Sequence, residues 1–271
     1  MNFFYKLASN KEENPAAYSS TTAGTMLGAG AATAANMGAL AIAVPDWHKG
    51  PVSSSKLNDK RRLSKQMDDL ASAHGYSLDT DNMSSYSSHR VYKDTTGKNR
   101  PSIGFDPADA SYSGAHMATG IHDRRNISLG RYRSSRSHGT LAHEFGHAMQ
   151  SKKQLQFVHN ARRAYGPATS GLLASSLLRT STSNDNEFLD NLDAGLATVG
   201  TAAFLPTVYN EIDASRRGSA TLGTAPTRLG RIKQRAQAFK GVPTYLTAAA
   251  TPAAMYFGGK YMREAATKKS E

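Results

Sequence analysis

The chain has 271 residues and no cysteine, which excludes disulfide bonds and thiolate metal ligands. Lysine and arginine number 33 against 21 aspartates and glutamates, a formal net charge of +12 that favours anionic partners such as phospholipid, cell-wall polymer or nucleic acid. A mean hydropathy of −0.51 excludes a chain buried wholly in lipid. Nucleic acid is the least expected partner, because the sequence shows neither aromatic residues interleaved with basic ones nor a helix-turn-helix pattern.

Weakly apolar runs rich in Ala, Gly and Thr alternate with polar segments. The first covers residues 16–45, and three more follow at residues 164–178, 192–209 and 242–259. About 20 helical residues cross a bilayer, and the polarity of these runs lies near the threshold for membrane insertion. We therefore predict membrane association through transmembrane helices. The alternative is a set of Ala-rich helices in a soluble bundle, or helices buried against partner subunits.

One segment between the last two runs is strongly basic. Residues 216–240 contain seven lysines and arginines and no aspartate or glutamate. If residues 164–178 and 192–209 form a transmembrane hairpin, the positive-inside tendency places this basic segment, together with the region around His143, on the cytoplasmic side. The same charge favours contact with anionic lipid headgroups.

The polar region between residues 46 and 150 has the pattern of a folded domain. Leu63, Met67 and Leu70 recur at helical spacing, and Gly75 is in position to end that helix. Three strands and one further helix are predicted, at residues 88–94, 102–105, 126–132 and 134–154 respectively. The predicted fold class is therefore α+β, mainly helical with a small antiparallel sheet, plus the Ala- and Gly-rich apolar helices.

This pattern divides the chain into three parts. Residues 1–45 form an N-terminal apolar segment, and residues 46–222 form a central domain with an apolar helical hairpin at 164–209. Residues 223–271 form a basic linker, an apolar helix and a charged tail. The central part carries the residues with recognisable chemistry.

The helix predicted at residues 134–154 carries His143, Glu144 and His147 in an HExxH pattern. Residues four apart share a helix face, so both imidazoles can point at one ion, and neutral imidazole is a preferred ligand of zinc. Glu144 follows the first histidine directly and can reach a water beside the ion without becoming a ligand, as a general base requires. A helix with two structural histidines is the alternative interpretation.

A catalytic zinc needs a third protein ligand, and several candidates follow the motif. The extended pattern with a third histidine fails, because its position holds Lys153. His159 can reach back only if the helix breaks early. Glu187 and Glu211 remain in competition, and spacing alone does not choose between them.

Three stretches together resemble one protein family: HDRRNISLGRY at residues 122–132, HEFGHAMQ at 143–150 and LPTVYNEIDASRRGSATL at 205–222. They are similar to stretches of the bacterial membrane-associated neutral zinc metallopeptidases, relatives of the heat-shock and prenyl-protein membrane proteases. The resemblance covers roughly residues 123–222 and implies a zincin-like domain that holds one Zn²⁺.

The resemblance also implies roles for individual residues. It makes Glu211 the third zinc ligand in preference to Glu187. Ser215, one turn later, would hydrogen-bond a ligand histidine. Arg216 or Arg217 would steady the oxyanion or hold a substrate carbonyl, with contact to phosphate headgroups as the alternative role.

The predicted function is that of a zinc endopeptidase of the gluzincin type, which hydrolyses peptide bonds with a metal-activated water at or in a membrane. Its substrate would be a polypeptide in extended conformation, paired along the strand predicted at residues 126–132. Two alternatives use the same observations. A structural or membrane-penetrating component of a phage virion or other assembly would explain the apolar runs. A peptidoglycan hydrolase with the same zinc site would explain the cationic charge.

Overall fold

The structure is a computed structural model that describes most of the chain. The described residues are 15–43, 57–80, 89–107, 116–119, 124–129, 137–178, 187–220, 222 and 227–267. Residue 88, residues 130–132 and residues 134–136 belong to predicted elements and lie outside these ranges.

Helices predominate within the described ranges. The helices are α1 (Pro15–Ala43), α2 (Leu57–Ala73), α3 (His138–Ala148), α4 (Lys152–Arg162), α5 (Tyr165–Leu178), α6 (Glu187–Ser219), α7 (Arg228–Ala238) and α8 (Val242–Thr267). The strands are β1 (Tyr76–Leu78), β2 (Arg90–Asp94), β3 (Ile103–Asp106), β4 (His116–Thr119) and β5 (Arg125–Ser128). Many helices with one small sheet confirm the predicted α+β class.

The described strands form one mixed sheet in the order β1-β2-β3-β5-β4. Three neighbouring pairs are antiparallel, whereas β3 and β5 run parallel with Phe105 opposite Ile127. The predicted antiparallel sheet is therefore wrong at this pair. The reason is topological: after β3 the chain reverses twice and inserts β5 between β3 and β4.

β5 is an interior strand of the sheet. Residues Arg125–Ser128 pair with β3 on one side and with β4 on the other. An incoming peptide finds no free edge there, so the predicted pairing of a substrate along residues 126–132 does not hold for residues 126–128. Among the described strands, β1 and β4 form the two edges.

The sheet packs against α2 and α3 around one apolar core. Leu63, Met67 and Leu70 are buried on one face of α2, which confirms the helix predicted from their spacing. Gly75 follows this helix with a φ of +73°, a backbone conformation that glycine adopts at little cost. The sheet and α3 contribute further core residues: Tyr92, Ile103, Phe105, Ile127, Leu129, Leu141 and Phe145.

The described residues fall into two compact units. The sheet unit comprises residues between 40 and 152 and between 210 and 242. It contains α2, the sheet, α3, α7 and the C-terminal part of α6. The helical unit comprises residues up to 39, between 153 and 209, and from 243 onward. It contains most of α1 and α4, together with α5, α8 and the remainder of α6.

The helical unit is built from Ala- and Gly-rich helices in close contact. α1 and α8 approach each other at Gly24 and Gly258, where a side chain would overlap the facing backbone carbonyl. Gly28 lies against the carbonyl of Ala254 in the same way. The apolar runs predicted from the sequence therefore form helices whose small residues permit close approach of the backbones.

None of the described helices is both long and apolar enough to cross a bilayer. The transmembrane hairpin predicted from residues 164–178 and 192–209 is therefore not found. Residues 192–209 belong instead to α6, one helix of 33 residues that continues through Glu211 to Ser219. Gly, Ala and Thr let helices pack closely together but add little hydropathy.

Candidate metal centre

α3 presents its histidines on one side because its other side is held in the core. Ser137 caps the first turn: its Oγ accepts a hydrogen bond of 3.1 Å from the backbone N–H of Thr140. Leu141 and Phe145 are fully buried. With that face fixed, about 3.6 residues per turn place His143 and His147 together on another side of the helix.

α3 and α6 meet at glycines. A side chain at Gly146 would overlap the backbone carbonyl of Ala214, and a side chain at Gly218 would overlap that of Ala142. The two backbones can approach this closely only because these positions lack a Cβ atom. The approach brings Glu211 of α6 to the histidines of α3.

The side chains of His143, His147 and Glu211 converge on one point. Oε2 of Glu211 lies 3.2 Å from Nε2 of His143 and 3.3 Å from Nε2 of His147. Zinc bonds to nitrogen and oxygen are about 2.0–2.1 Å, so neighbouring ligands of a tetrahedral ion stand about 3.3 Å apart. Both contacts of Glu211 have this spacing, and the three residues are close enough to bind a metal ion.

The candidate ligands are nearly enclosed, with 12% of each histidine side chain and 9% of Glu211 exposed. Burial acts to raise the pKa of Glu211, but hydrogen bonds with His143 and His147 lower it to about 2. Burial acts to lower the pKa of His147, but the hydrogen bond and charge of Glu211 and the charge of Glu144 raise it to about 9. In the metal-free protein an imidazolium thus pairs with a buried carboxylate, and a metal cation can replace its proton.

Ser215 determines the tautomer of His143. Its Oγ donates to the backbone carbonyl of Ala238 at 2.9 Å and lies 2.9 Å from Nδ1 of His143. A hydroxyl has one proton to donate, so Nδ1 of His143 is the donor in the second contact. Nε2 of His143, which faces Glu211, is then the ring nitrogen available to bind a cation in place of a proton.

Gln150 has the same effect on His147. Its amide nitrogen donates to the backbone carbonyl of Asn210 at 2.8 Å and to Oδ2 of Asp213 at 3.3 Å. Its Oε1 is thereby left as an acceptor, 2.9 Å from Nδ1 of His147. Nδ1 of His147 therefore carries a proton, and Nε2 is directed at Glu211.

Glu144 is buried next to the candidate ligands, with 6% of its surface exposed. Its charge is close enough to raise the pKa of His147. Glu144 is therefore a buried carboxylate near the cluster, and it is not one of the three converging residues.

Arg216 and Arg217 lie on the outer side of this network. Nε of Arg217 donates to Asp213 at 2.8 Å. Arg216 approaches the same carboxylate only at 3.9 Å, with 78% of its side chain exposed. These contacts give no support to a role of Arg216 at an oxyanion.

Glu187 and Glu211, the two candidates for the third ligand, both lie on α6. Glu187 begins α6, 24 residues before Glu211 (211 − 187), which corresponds to about 36 Å of helical rise. Only one of them can therefore reach the histidines, and it is Glu211. His159 is exposed on α4.

Gln150 and Asp213 contact the candidate ligands or their partners, and the sequence pattern did not predict either residue. Gln150 ends the HEFGHAMQ stretch three residues after His147, and in the helix predicted at residues 134–154 that spacing puts both side chains on one face. In the structure Gln150 lies just beyond the end of α3. Asp213 follows Glu211 by two residues, a spacing that predicts no shared face. The carbonyl of Ala238 has no sequence signal, because every residue has one.

The candidate site rests on its own geometry. Comparisons of the chain with protein-family models, with curated proteins and with solved structures find no match. The resemblance to the neutral zinc metallopeptidases therefore stays a prediction.

Proposed function

We propose that this protein is a zinc-dependent endopeptidase with a zincin-like sheet unit. The observation that carries the proposal is the convergence of His143, His147 and Glu211, whose ligand atoms all lie within 4.8 Å of one another. Two imidazoles and one glutamate are a known donor set of catalytic zinc in peptidases. Glu144, the residue that follows His143, is buried.

The number of ligands supports a catalytic rather than a structural site. Structural zinc is closed by four protein ligands, whereas catalytic zinc keeps one position for water or substrate. Among the described residues, this cluster offers three protein ligands, His143, His147 and Glu211. The chain has no cysteine that could complete a closed site.

Glu144 is the proposed proton carrier. When bound, zinc would supply positive charge that polarises the scissile carbonyl and makes a nearby water more acidic. Glu144 accepts a proton from the water as the water oxygen bonds to the carbonyl carbon. It then passes that proton to the amide nitrogen as the C–N bond breaks, which yields a carboxylic acid and an amine.

The proposed substrate is an extended polypeptide that adds to the sheet at β4. Among the described strands β4 pairs only with β5, so its other edge can form main-chain hydrogen bonds with a peptide. α3 contacts both β4 and β5, which would place such a peptide beside the candidate catalytic residues. Main-chain pairing favours cleavage of flexible or unfolded segments, with weak dependence on side chains.

The proposal is tested on the purified full-length chain and two variants. We expect the wild type to bind about one zinc ion and to cleave casein. Glu144→Gln should keep the metal and lose at least about a hundredfold in rate, since it removes the proton acceptor. Glu211→Ala should lose the metal itself. Full activity of Glu144→Gln, or zinc binding that Glu211→Ala leaves unchanged, would contradict the proposal.

Purified cell wall is included beside casein as a second substrate. The net charge of +12 gives peptidoglycan hydrolysis a physical basis, because the wall polymer is anionic. Cleavage of cell wall but not of casein would replace the peptidase by a peptidoglycan hydrolase with the same site. Failure to bind zinc, together with co-sedimentation in a phage or other particle, would favour a structural component.

A further inference from the structure

α7 exposes its apolar side chains instead of burying them. Leu229 is 75% exposed and Ile232 is 55% exposed, and Ala236 is exposed as well. At about 100° per residue, these three side chains lie within about 60° of one another around the helix. Ala238, the buried residue of α7, is on the opposite side. The outer face of this helix therefore has an apolar stripe along its centre.

Basic residues border this apolar stripe on both sides. Arg228 and Arg235 lie on one flank and Lys233 lies on the other, and all three are exposed. The surrounding stretch, residues 216–240, contains no aspartate or glutamate. An apolar stripe between two basic flanks is the pattern of helices that lie in a membrane interface.

The inner face of α7 is already anchored in the sheet unit. The carbonyl of Ala238 accepts a hydrogen bond of 2.9 Å from Ser215. The side chain of Gln237 lies against Gly139 of α3, where any larger residue would overlap it. The apolar stripe is thus on the outer side of a helix whose opposite side contacts Ser215 and α3.

We propose that α7 docks the sheet unit on the surface of an anionic phospholipid bilayer. Leu229 and Ile232 would enter the boundary between headgroups and acyl chains, while the flanking cations contact lipid phosphates. Nucleic acid would satisfy the charge, but its phosphate backbone offers no apolar phase for the stripe. The helix has 11 residues, about 16 Å, so it lies along the surface and does not cross the bilayer.

Docking through α7 has a consequence for the candidate metal centre. α7 contacts α3. The carbonyl of Ala238, the last residue of α7, accepts a hydrogen bond from Ser215, and Ser215 accepts one from His143. A bilayer that binds α7 would therefore have the centre near its surface, where membrane-bound polypeptides are the available substrates. Only this consequence rests on the proposed peptidase function; the docking does not.

The test is co-sedimentation of the full-length chain with phosphatidylcholine vesicles, with and without phosphatidylglycerol. We expect binding only to the anionic vesicles, and weaker binding at high salt. The Leu229→Gln/Ile232→Gln variant should lose about a hundredfold in affinity, about tenfold for each apolar side chain. The Arg228→Glu/Lys233→Glu variant should lose at least about 25-fold, about fivefold for each cation removed.

Two matched controls change the same chemistry elsewhere. Met37→Gln alters an apolar residue of α1 that is 65% exposed. Arg61→Glu/Lys65→Glu reverses two exposed cations of α2. Both controls should bind anionic vesicles like the wild type, and thermal unfolding of every variant shows that it is folded.

A site-specific label gives a second, independent measurement. Because the chain has no cysteine, Ile232→Cys can carry a single environment-sensitive fluorophore. Its emission should shift to shorter wavelength with anionic vesicles, since the label enters an apolar phase. The same label at Lys65→Cys should not shift.

Four outcomes would overturn the proposal. These are absence of vesicle binding, full binding by Leu229→Gln/Ile232→Gln, and a label at Ile232→Cys that stays in water while the protein is bound. The fourth is binding of duplex DNA or RNA in place of vesicles, which would assign α7 to nucleic acid. None of these outcomes depends on hydrolysis, so they are distinguishable from failure of the peptidase proposal.

Discussion

One carboxylate oxygen of Glu211 lies between two imidazole nitrogens, at 3.2 Å and 3.3 Å. Both histidines have their Nδ1 atoms occupied, by Ser215 and Gln150. Each imidazole is thereby held with Nε2 toward the same point, and little rotamer freedom remains to be lost when a metal binds. The chemistry of the centre is therefore decided by residues around the ligands as well as by the ligands.

Gln150→Ala is expected to weaken zinc binding by about tenfold to a hundredfold, the usual cost of removing a group that orients a ligand histidine. The substitution removes the acceptor 2.9 Å from Nδ1 of His147. The measurement is competition for zinc with a chromophoric chelator. Gln156→Ala on α4, where the glutamine is exposed, is the matched control. Equal zinc affinity of the two variants would show that Gln150 does not orient His147.

Zinc affinity is expected to rise with pH. Glu211 and Glu144 raise the pKa of His147 to about 9 against the opposing effect of burial, so the metal-free protein carries a proton there at neutral pH. Zinc must displace that proton, which costs about tenfold in affinity for each pH unit below the pKa. Calorimetric titration in two buffers of different ionisation enthalpy should detect about one released proton. A binding enthalpy independent of the buffer would refute this.

At the scale of elements, the centre depends on the crossing of α3 and α6. The backbones touch at Gly146 and Gly218, where a Cβ atom would overlap a carbonyl of the other helix. The crossing, and not the length of either helix, sets the distance between Glu211 and the histidines. Packing at this density leaves no room for an added methyl group.

Gly146→Ala is expected to destabilise the protein by about 1–3 kcal/mol and to weaken zinc binding, because the helices must separate. Gly195→Ala on α6 is the matched control, since no atom lies within 4 Å of a Cβ placed there. That control should stabilise the protein by about 0.5–1 kcal/mol, the usual gain for alanine over glycine inside a helix. Both are measured by denaturant unfolding. Equal effects of the two substitutions would contradict the close crossing.

The turn after β2 is closed by Asp94 and Arg100. A hydrogen bond from Arg100 holds the pKa of Asp94 well below its ordinary value of 3.8, with further hydrogen bonds from Thr96. Arg100 also donates to the carbonyl of His74 at 2.8 Å, which ties the turn to the end of α2. Asp94 thus links β2 and the following turn, through Arg100, to the end of α2.

Asp94→Asn is expected to lower the melting temperature at neutral pH. The pKa of Asp94 is depressed by folding, so its stabilising effect is present above pH 3.8 and is lost as the pH falls through the lowered value. The difference in melting temperature between wild type and variant should therefore shrink on acidification. Asp69→Asn, at an exposed position of α2, is the control. A difference that persists at strongly acidic pH would contradict the role of the charge.

At the scale of the whole chain, the candidate ligands join segments that are far apart in sequence. His147 and Glu211 are 64 residues apart (211 − 147), and the intervening residues 153–209 belong to the helical unit. A metal ion bound by both would close a long loop of the chain. Such an ion binds the folded protein and not the unfolded chain, so it stabilises folding.

Zinc at a hundred times its dissociation constant should stabilise the fold by about 2.7 kcal/mol. Thermal unfolding with zinc, and with excess chelator, measures this as a rise in melting temperature. Glu144→Gln should keep the rise, because Glu144 is not one of the three converging residues, and His147→Ala should lose it. A rise of the same size in His147→Ala would place the stabilising zinc elsewhere.

The local sequence pattern determined the elements and part of the centre. Helical spacing gave the core face of α2 and the pairing of His143 with His147, because both depend only on the period of one helix. The apolar runs were correctly predicted as helices, yet their passage through a membrane was not found. A run of Gly, Ala and Thr makes a helix surface that either close packing or lipid can cover, and the local pattern does not distinguish the two.

Contacts between distant segments were decided by the tertiary structure alone. The choice of Glu211 over Glu187 required α6 to be one continuous helix, and spacing along the chain could not show this. The parallel pairing of β3 with β5 and the outward direction of the apolar stripe of α7 also could not be predicted from one segment. They depend on which surfaces meet in three dimensions, where the free energy of burial is shared between segments, so no single segment carries the information.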